Sequence, residues 1–180
     1  YVTSLDGIEA ASNLEVLHLT GLQLKGSLPS GLFNLPNLRL LYANDNMFSG
    51  TLPSAIGKLT ELRELYLGNS DLTGQLPSEL GALTLLEVLV LGNNAFSGTL
   101  PQAALNALSN LRAIALHRDD DLPKGEGITG SVPAFSNHEK LSNVFLQNQK
   151  LSGSLADDFL LLAPKAQSVG IDLRANQITG

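Results

Sequence analysis

Leucines fall along this chain in a fixed rhythm. Over residues 86–101 the order is Leu86, Leu89, Leu91, Asn94, Phe96, Gly98, Leu100 and Pro101. Residues 38–53 repeat it as Leu38, Leu41, Asn46, Phe48, Gly50, Leu52 and Pro53, with Ala43 in place of one leucine. Copies start at Leu14, Leu38, Leu62, Leu86, Leu111 and Leu141, with a degenerate seventh start at Ser168, at intervals of 24, 24, 24, 25, 30 and 27 residues. A period in this range predicts a solenoid of stacked coils. Within one coil, Leu65-Tyr66-Leu67 alternates as a short half-buried strand does, and the spacing of Leu80, Leu83 and Leu86 predicts a helical return. The pattern points Leu62, Leu65, Leu67, Leu72 and Leu76 inward. One coil cannot bury these leucines alone, so it must stack on its neighbours, the strands forming a parallel sheet along one face. Each fully buried leucine contributes about 1.5–3 kcal/mol, which offsets the cost of ordering the chain only with coils above and below.

The polar positions are as regular as the leucines. Asn46, Asn94 and Asn176 stand at the ninth place of their coils, where the chain turns inward out of the strand. A buried amide there is expected to pair backbone groups of adjacent coils. Leu22, Ser70, Asp119 and Gln149 occupy the same place elsewhere. Ser70 and Asp119 are expected to substitute in part, whereas Leu22 predicts a looser or water-bridged turn. Gly26, Gly50, Gly74, Gly98, Gly130, Gly153 and Gly180 hold the thirteenth place in all seven coils, which predicts a backbone unsuited to a β-carbon. Pro29, Pro53, Pro77, Pro101 and Pro133 follow the next core position, where a fixed φ and a missing donor suit a turn or the first residue of a short helix.

These motifs resemble the leucine-rich repeat family, and in particular its plant-type subclass with the added L-x-G-x-[IL]-P segment. Here that segment reads Leu72-Thr73-Gly74-Gln75-Leu76-Pro77 and Phe96-Ser97-Gly98-Thr99-Leu100-Pro101. The resemblance covers essentially the whole chain. It implies an α/β solenoid: a right-handed superhelix with a concave parallel β-sheet, a second short strand near the glycine, and short helical or irregular convex segments. It also implies binding rather than catalysis, as in receptor ectodomains and enzyme inhibitors of signalling and defence. One domain of about seven coils is expected over residues 1–180. Residues before Leu14, including Leu5 and Ile8, read as the tail of an earlier or capping coil. The chain starts without Met and stops part-way through a coil, so its ends are expected to be truncated or uncapped.

Composition narrows the function classes. A net charge of −6 and a pI near 4.9 leave no basic stripe to neutralise nucleic-acid phosphates. The longest purely apolar run, 159–163, is far too short to span a membrane. The resemblance implies an extracellular or cell-surface setting, but the chain has no cysteine and no N-x-[ST] acceptor, so the compartment stays open.

Two strings invite a catalytic reading. His117-Arg118-Asp119 matches the start of a kinase catalytic loop, and residues 125–130 match G-x-G-x-x-G. Their order is reversed relative to a kinase, and Gly130 is already the repeat glycine. The three histidines fall at different places in different coils, no nucleophile elbow is present, and Asp157 and Asp158 read as the acidic start of a short helix. No enzyme, cofactor or metal site is expected. The stretch is nonetheless a departure from the repeat: Leu111 to Ile128 spans seven residues more than Leu62 to Leu72. Such an insertion predicts a surface loop at a rim of the concave face, presenting Arg118, Asp119, Asp120, Asp121 and Lys124. Its acidic residues lack the spacing of a calcium loop.

The concave sheet is then the candidate binding surface. Between the strand leucines lies one outward position per coil: His18, Tyr42, Tyr66, Val90, Ala115, Phe145 and Asp172. Neighbouring strands stand about 4.8 Å apart, so these residues form a continuous stripe, flanked by Glu15, Arg39, Arg63, Glu87 and Arg112, with Glu64 beside it. The expected ligand is a protein, a peptide or an extended glycan. Two other readings compete: a structural subunit of a larger assembly, and ice binding through the column Ser27, Thr51, Gln75, Thr99, Ser131 and Ser154.

Overall fold

A computed structural model describes residues 5–119, 127–157, 159 and 170–179. Seven three-residue strands, Val16–His18, Leu40–Tyr42, Glu64–Tyr66, Val88–Val90, Ala113–Ala115, Asn143–Phe145 and Gly170–Asp172, pair in chain order into one parallel sheet. Each strand therefore belongs to a successive coil. The pairing keeps repeat positions level: Leu41 stands opposite Leu65, Leu65 opposite Leu89, and Leu89 opposite Ile114.

The core is the leucine column that the period demanded. Leu38, Leu62, Leu86, Leu111 and Leu141 are fully buried, as are Leu41, Leu65, Leu89, Ile114 and Val144 beneath the strands. Leu67, Leu72, Leu80 and Leu83 join them. The chain returns through 3-10 helices Ser30–Asn34, Ser54–Lys58 and Ser78–Ala82 and the short α-helix Gln102–Ala107. Pro29, Pro53, Pro77 and Pro101 stand immediately before these turns. Their carbonyls accept the first helical bonds, from the N–H groups of Leu32, Ile56, Leu80 and Leu105 at 3.0–3.2 Å. The missing proline N–H falls where a helix leaves that donor unpaired in any case.

Beyond each main strand lies a second short strand, paired in two four-stranded ladders. Here the register slips by two residues per coil: Ser49 faces Asp71 and Thr51 faces Thr73. The Ser/Thr column therefore does not run straight. The register partner of Thr51 is Thr73 rather than Gln75, and that of Thr99 is Thr129. Six repeat glycines, Gly26, Gly50, Gly74, Gly98, Gly130 and Gly153, take φ between 76° and 87°. At Gly74 a β-carbon would also meet Thr51 Cγ2 at 2.9 Å, so both backbone and packing require glycine.

The buried amides act as expected. Asn94 Oδ1 accepts the Leu72 N–H at 3.0 Å, while Nδ2 donates to the carbonyls of Leu67 and Leu91 at 2.8 and 2.9 Å. Asn46 and Asn176 repeat the pattern in their own coils. Gln149 reproduces two of its bonds with a longer arm, to the Ile128 N–H and the Leu116 carbonyl. The partial substitution expected of Ser70 and Asp119 does not occur. Ser70 Oγ is buried without a hydrogen-bond partner, since one hydroxyl cannot span the distance an amide covers. Asp119 turns outward to solvent. Leu22 loosens its turn by facing water, 40% exposed, between the positive-φ residues Gly21 and Gln23.

Candidate functional site

A three-residue strand with only its central side chain turned inward presents two outward positions, where the sequence reading counted one. The outer surface of the sheet thus carries two columns in register. Val16, Leu40, Glu64, Val88, Ala113, Asn143 and Gly170 form the first, and His18, Tyr42, Tyr66, Val90, Ala115, Phe145 and Asp172 the second.

Three rings in the second column stack on one another. The centroids of His18 and Tyr42 are 4.4 Å apart at 18°, and those of Tyr42 and Tyr66 are 5.1 Å apart at 35°. Each ring covers a face of the next, so the surface offers ring edges along a ridge rather than open platforms. Tyr42 Oη donates to a Glu64 carboxylate oxygen at 2.7 Å. That bond, then burial and the Glu64 charge, push the Tyr42 phenol up to about 12. Burial, followed by the same charge, raises Tyr66 as well. Both tyrosines are neutral donors near pH 7.

One rim carries the expected charges, already paired. Arg39 meets Glu15 at 3.1 Å and Arg63 meets Glu87 at 3.1 Å, while Arg112 lies 3.6 Å from the same Glu87 carboxylate. One carboxylate between two guanidinium groups leaves a net positive charge, and the Arg112 side chain is 64% exposed. Exposed pairs of this kind contribute little to stability, about 0–1 kcal/mol, and are available to a ligand.

The opposite rim holds a feature the sequence reading missed. Asn69 Nδ2 donates to Asp45 Oδ1 at 2.7 Å; Asn93 Nδ2 donates to Asn69 Oδ1 at 2.8 Å and to Asp119 Oδ2 at 2.7 Å. Asn93 Oδ1 accepts the Asp119 N–H at 2.8 Å. This amide ladder rests on positive-φ backbone at Asp45, Asn69 and Asn93, with φ of 53° to 58°. Asx residues tolerate that region, and their recurrence at the eighth place was the legible signal.

Of the residues expected in the insertion, Asp119 is exposed on this rim. Arg118 is not a surface contact: it is only 7% exposed, and its carbonyl accepts from Asn148 Nδ2. Asp120, Asp121 and Lys124 lie outside the described residues. At the far end, the His117 ring occupies the space over Gly92, and Phe145 lies against Gly170. Arg174 binds both Asp172 oxygens, holding that carboxyl below the usual range.

One of the three histidines has a place that the sequence reading did not assign. His138 stands three places before Leu141, where other coils carry Leu35, Leu59, Leu83 and Leu108, and it is fully buried. Its Nε2 lies 3.0 Å from the Leu105 carbonyl, its Nδ1 has no partner, and burial lowers its pKa. Among the described residues, no group of three or more His, Cys, Asp or Glu side chains is placed to hold a metal ion. No helix among them is long and apolar enough to cross a membrane.

The leucine-rich repeat region model matches residues 5–152, across the coils whose core and register are described above. The chain belongs to the leucine-rich repeat family. Its plant-type segment has counterparts in solved structures. The ectodomain of the Arabidopsis thaliana membrane receptor kinase GASSHO1/SCHENGEN3, solved with CASPARIAN STRIP INTEGRITY FACTOR 2, is 32% identical at a TM-score of 0.77. The match covers 92% of this chain and 22% of that one. The Arabidopsis receptor kinase HAESA, solved with the peptide hormone IDA and the co-receptor SERK1, is 26% identical at 0.83, covering 97% and 27%. This chain thus spans about a quarter of the length of these relatives. A plant ice-binding protein shares the fold at 20% identity and a TM-score of 0.72, covering 99% and 61%. No curated protein sequence matches the chain.

Proposed function

We propose that this leucine-rich repeat segment is a non-catalytic recognition module that binds an extended peptide or protein segment along the seven-stranded face. The observation that carries the reading is the His18–Tyr42–Tyr66 ridge, an unbroken run of rings on a rigid sheet, bordered by fixed charges on both rims. Rigid aromatic anchors lose little conformational freedom on binding and recur at the energetic centres of interfaces. The edge-on presentation favours a peptide over a glycan, because sugars stack on ring faces and these faces cover one another. The receptor ectodomains above, one solved with CASPARIAN STRIP INTEGRITY FACTOR 2 and one with the peptide hormone IDA, support a recognition role.

The ice-binding reading has less support. An ordered lattice face needs aligned rows, whereas this Ser/Thr column is staggered by two residues per coil and interrupted by Gln75, whose Nε2 reaches across to Thr99. A structural subunit would use the same face but stay bound to its partners on purification.

The test is selection of random twelve-residue peptides displayed on phage against the immobilised protein, followed by binding of the enriched sequences to a Tyr42→Ala/Tyr66→Ala variant. Circular dichroism checks that the variant is folded. Loss of about tenfold or more supports the ridge as the anchor. Undiminished binding to a folded double variant, or no enrichment by the wild type, rejects the reading.

A further inference from the structure

The second column drops in height between its aromatic residues. Tyr66 and Phe145 are three register steps apart, through Val90 and Ala115, so about 14 Å of sheet separates their strands. Over that interval both outward positions are small and apolar: Val88 and Val90, then Ala113 and Ala115. Phe145 leans away, over Gly170, which widens the gap. Gly92 adds no side chain of its own beside Val90, and the His117 ring lies over it at the ladder edge. The result is a notch walled by Tyr66 on one side and Phe145 on the other, with a floor of valine and alanine side chains and the His117 imidazole at its ladder edge.

The two edges of this notch differ in what they have left to give. Asn93, on one side, uses both oxygen and nitrogen of its amide within the ladder. On the other, Arg63 and Arg112 share the single carboxylate of Glu87, and Arg112 is the more distant and more exposed of the two. The unmatched positive charge at the notch therefore lies at Arg112.

Resting on the peptide-recognition reading above, we propose that this notch is the anchor site for one bulky apolar side chain of the bound peptide, with a carboxylate of the same peptide placed on Arg112. A polar side chain entering the floor would lose its water without gaining a partner from the valines and alanines, whereas an aromatic or leucine side chain fills the missing volume. In an extended peptide successive residues advance about 3.3 Å, so a side chain one to three residues from the anchor reaches the Arg112 rim. The ridge supplies the wall and the notch supplies the selectivity.

The same displayed library provides the test. The wild type is expected to enrich sequences carrying Phe, Trp, Leu or Met with Asp or Glu within three positions. Ala115→Arg, which fills the floor, is expected to weaken the enriched peptides about tenfold or more. Arg112→Glu alters an exposed side chain and leaves the fold intact; it is expected to shift the enriched charge from acidic to basic. Enriched sequences without an apolar anchor overturn the proposal, as does an unchanged charge preference in Arg112→Glu. Loss of binding in Tyr42→Ala alongside indifference to both notch variants sinks the notch and spares the ridge. Failure to enrich any peptide sinks both.

Discussion

Ser70 is the sharpest probe of how the coils hold together. In the coils before and after it, Asn46 and Asn94 each bridge two carbonyls and one N–H of the stacked backbone at 2.8–3.0 Å. Ser70 stands midway, 24 residues from each, and its buried hydroxyl bonds to nothing. Asn69 just before it has φ 53°, close to the 58° of Asp45 and 56° of Asn93, so the backbone already has the shape an asparagine needs. In Ser70→Asn the amide is expected to accept from the Phe48 N–H and donate to the carbonyls of Ala43 and Leu67. Each such bond contributes about 0.5–1.5 kcal/mol net, and relief of the unpaired buried hydroxyl about 1–3. Ordering the larger side chain and shifting neighbours to admit it oppose this gain. The balance is a stabilisation of about 1–2 kcal/mol, or some 2–8 °C in Tm for a chain of this size. Urea titration followed by circular dichroism measures it, with the m-value checked so that the comparison concerns stability alone. A variant with an unchanged or lower midpoint would show that the ninth-place amide is tolerated rather than stabilising.

Three further outcomes follow from the geometry. Gly74→Val imposes a β-branched side chain at φ 77° and against Thr51, and should cost more than about 1 kcal/mol in the same titration. Glu64→Gln replaces the charged carboxylate that holds the Tyr42 proton with a weaker, neutral amide acceptor, so ultraviolet titration in a Tyr66→Phe background should show Tyr42 ionising below its present value of about 12. Wild-type stability should correspondingly fall from pH 10 towards 12, because the unfolded phenol ionises first and the folded one retains its proton. His138 has the opposite sign: the folded state favours the neutral ring, so stability should fall as pH drops below about 6.5, where the unfolded imidazole gains its proton. His138→Leu, which restores the residue type of neighbouring coils, should remove that acid loss; an identical pH profile in the variant would refute the assignment.

What the sequence made legible follows from what repeats. A leucine recurring every 24 residues has one physical explanation, a wall shared with the next coil, so Leu62, Leu86 and their partners were placed correctly without coordinates. The same holds for Asn94, Gly74 and the Tyr42–Tyr66 stripe, each defined by its place in the period. Departures from the period were harder to read. Ser70 and Asp119 were credited with asparagine's role because both carry oxygen, but the task needs a donor and an acceptor at fixed reach. Arg118 was assigned to the surface with the insertion it borders, whereas its side chain is buried. His138 was read as one of three scattered histidines, although its spacing to Leu141 already placed it in the leucine column.

The two outward columns have a consequence for how a ligand is read. A solenoid fixes the spacing between neighbouring strands, so selectivity can come only from which side chains each coil presents and how tall they are. In the first three coils the tall residues agree, and the stacked rings His18, Tyr42 and Tyr66 brace one another against movement. In the next two the column falls to valine and alanine before rising again at Phe145. On the proposed peptide recognition, a ridge beside a notch would distinguish one end of an extended peptide from the other, which a uniform stripe would not. The rims act in the same direction, the ladder side ending in the carboxylates of Asp45 and Asp119 and the other side in the unmatched Arg112. A ligand bound in reverse would carry its carboxylate away from Arg112 and lose that contact. Reversing the sequence of an enriched peptide at constant composition isolates this effect. Equal affinity for the two directions would show that the face recognises composition alone.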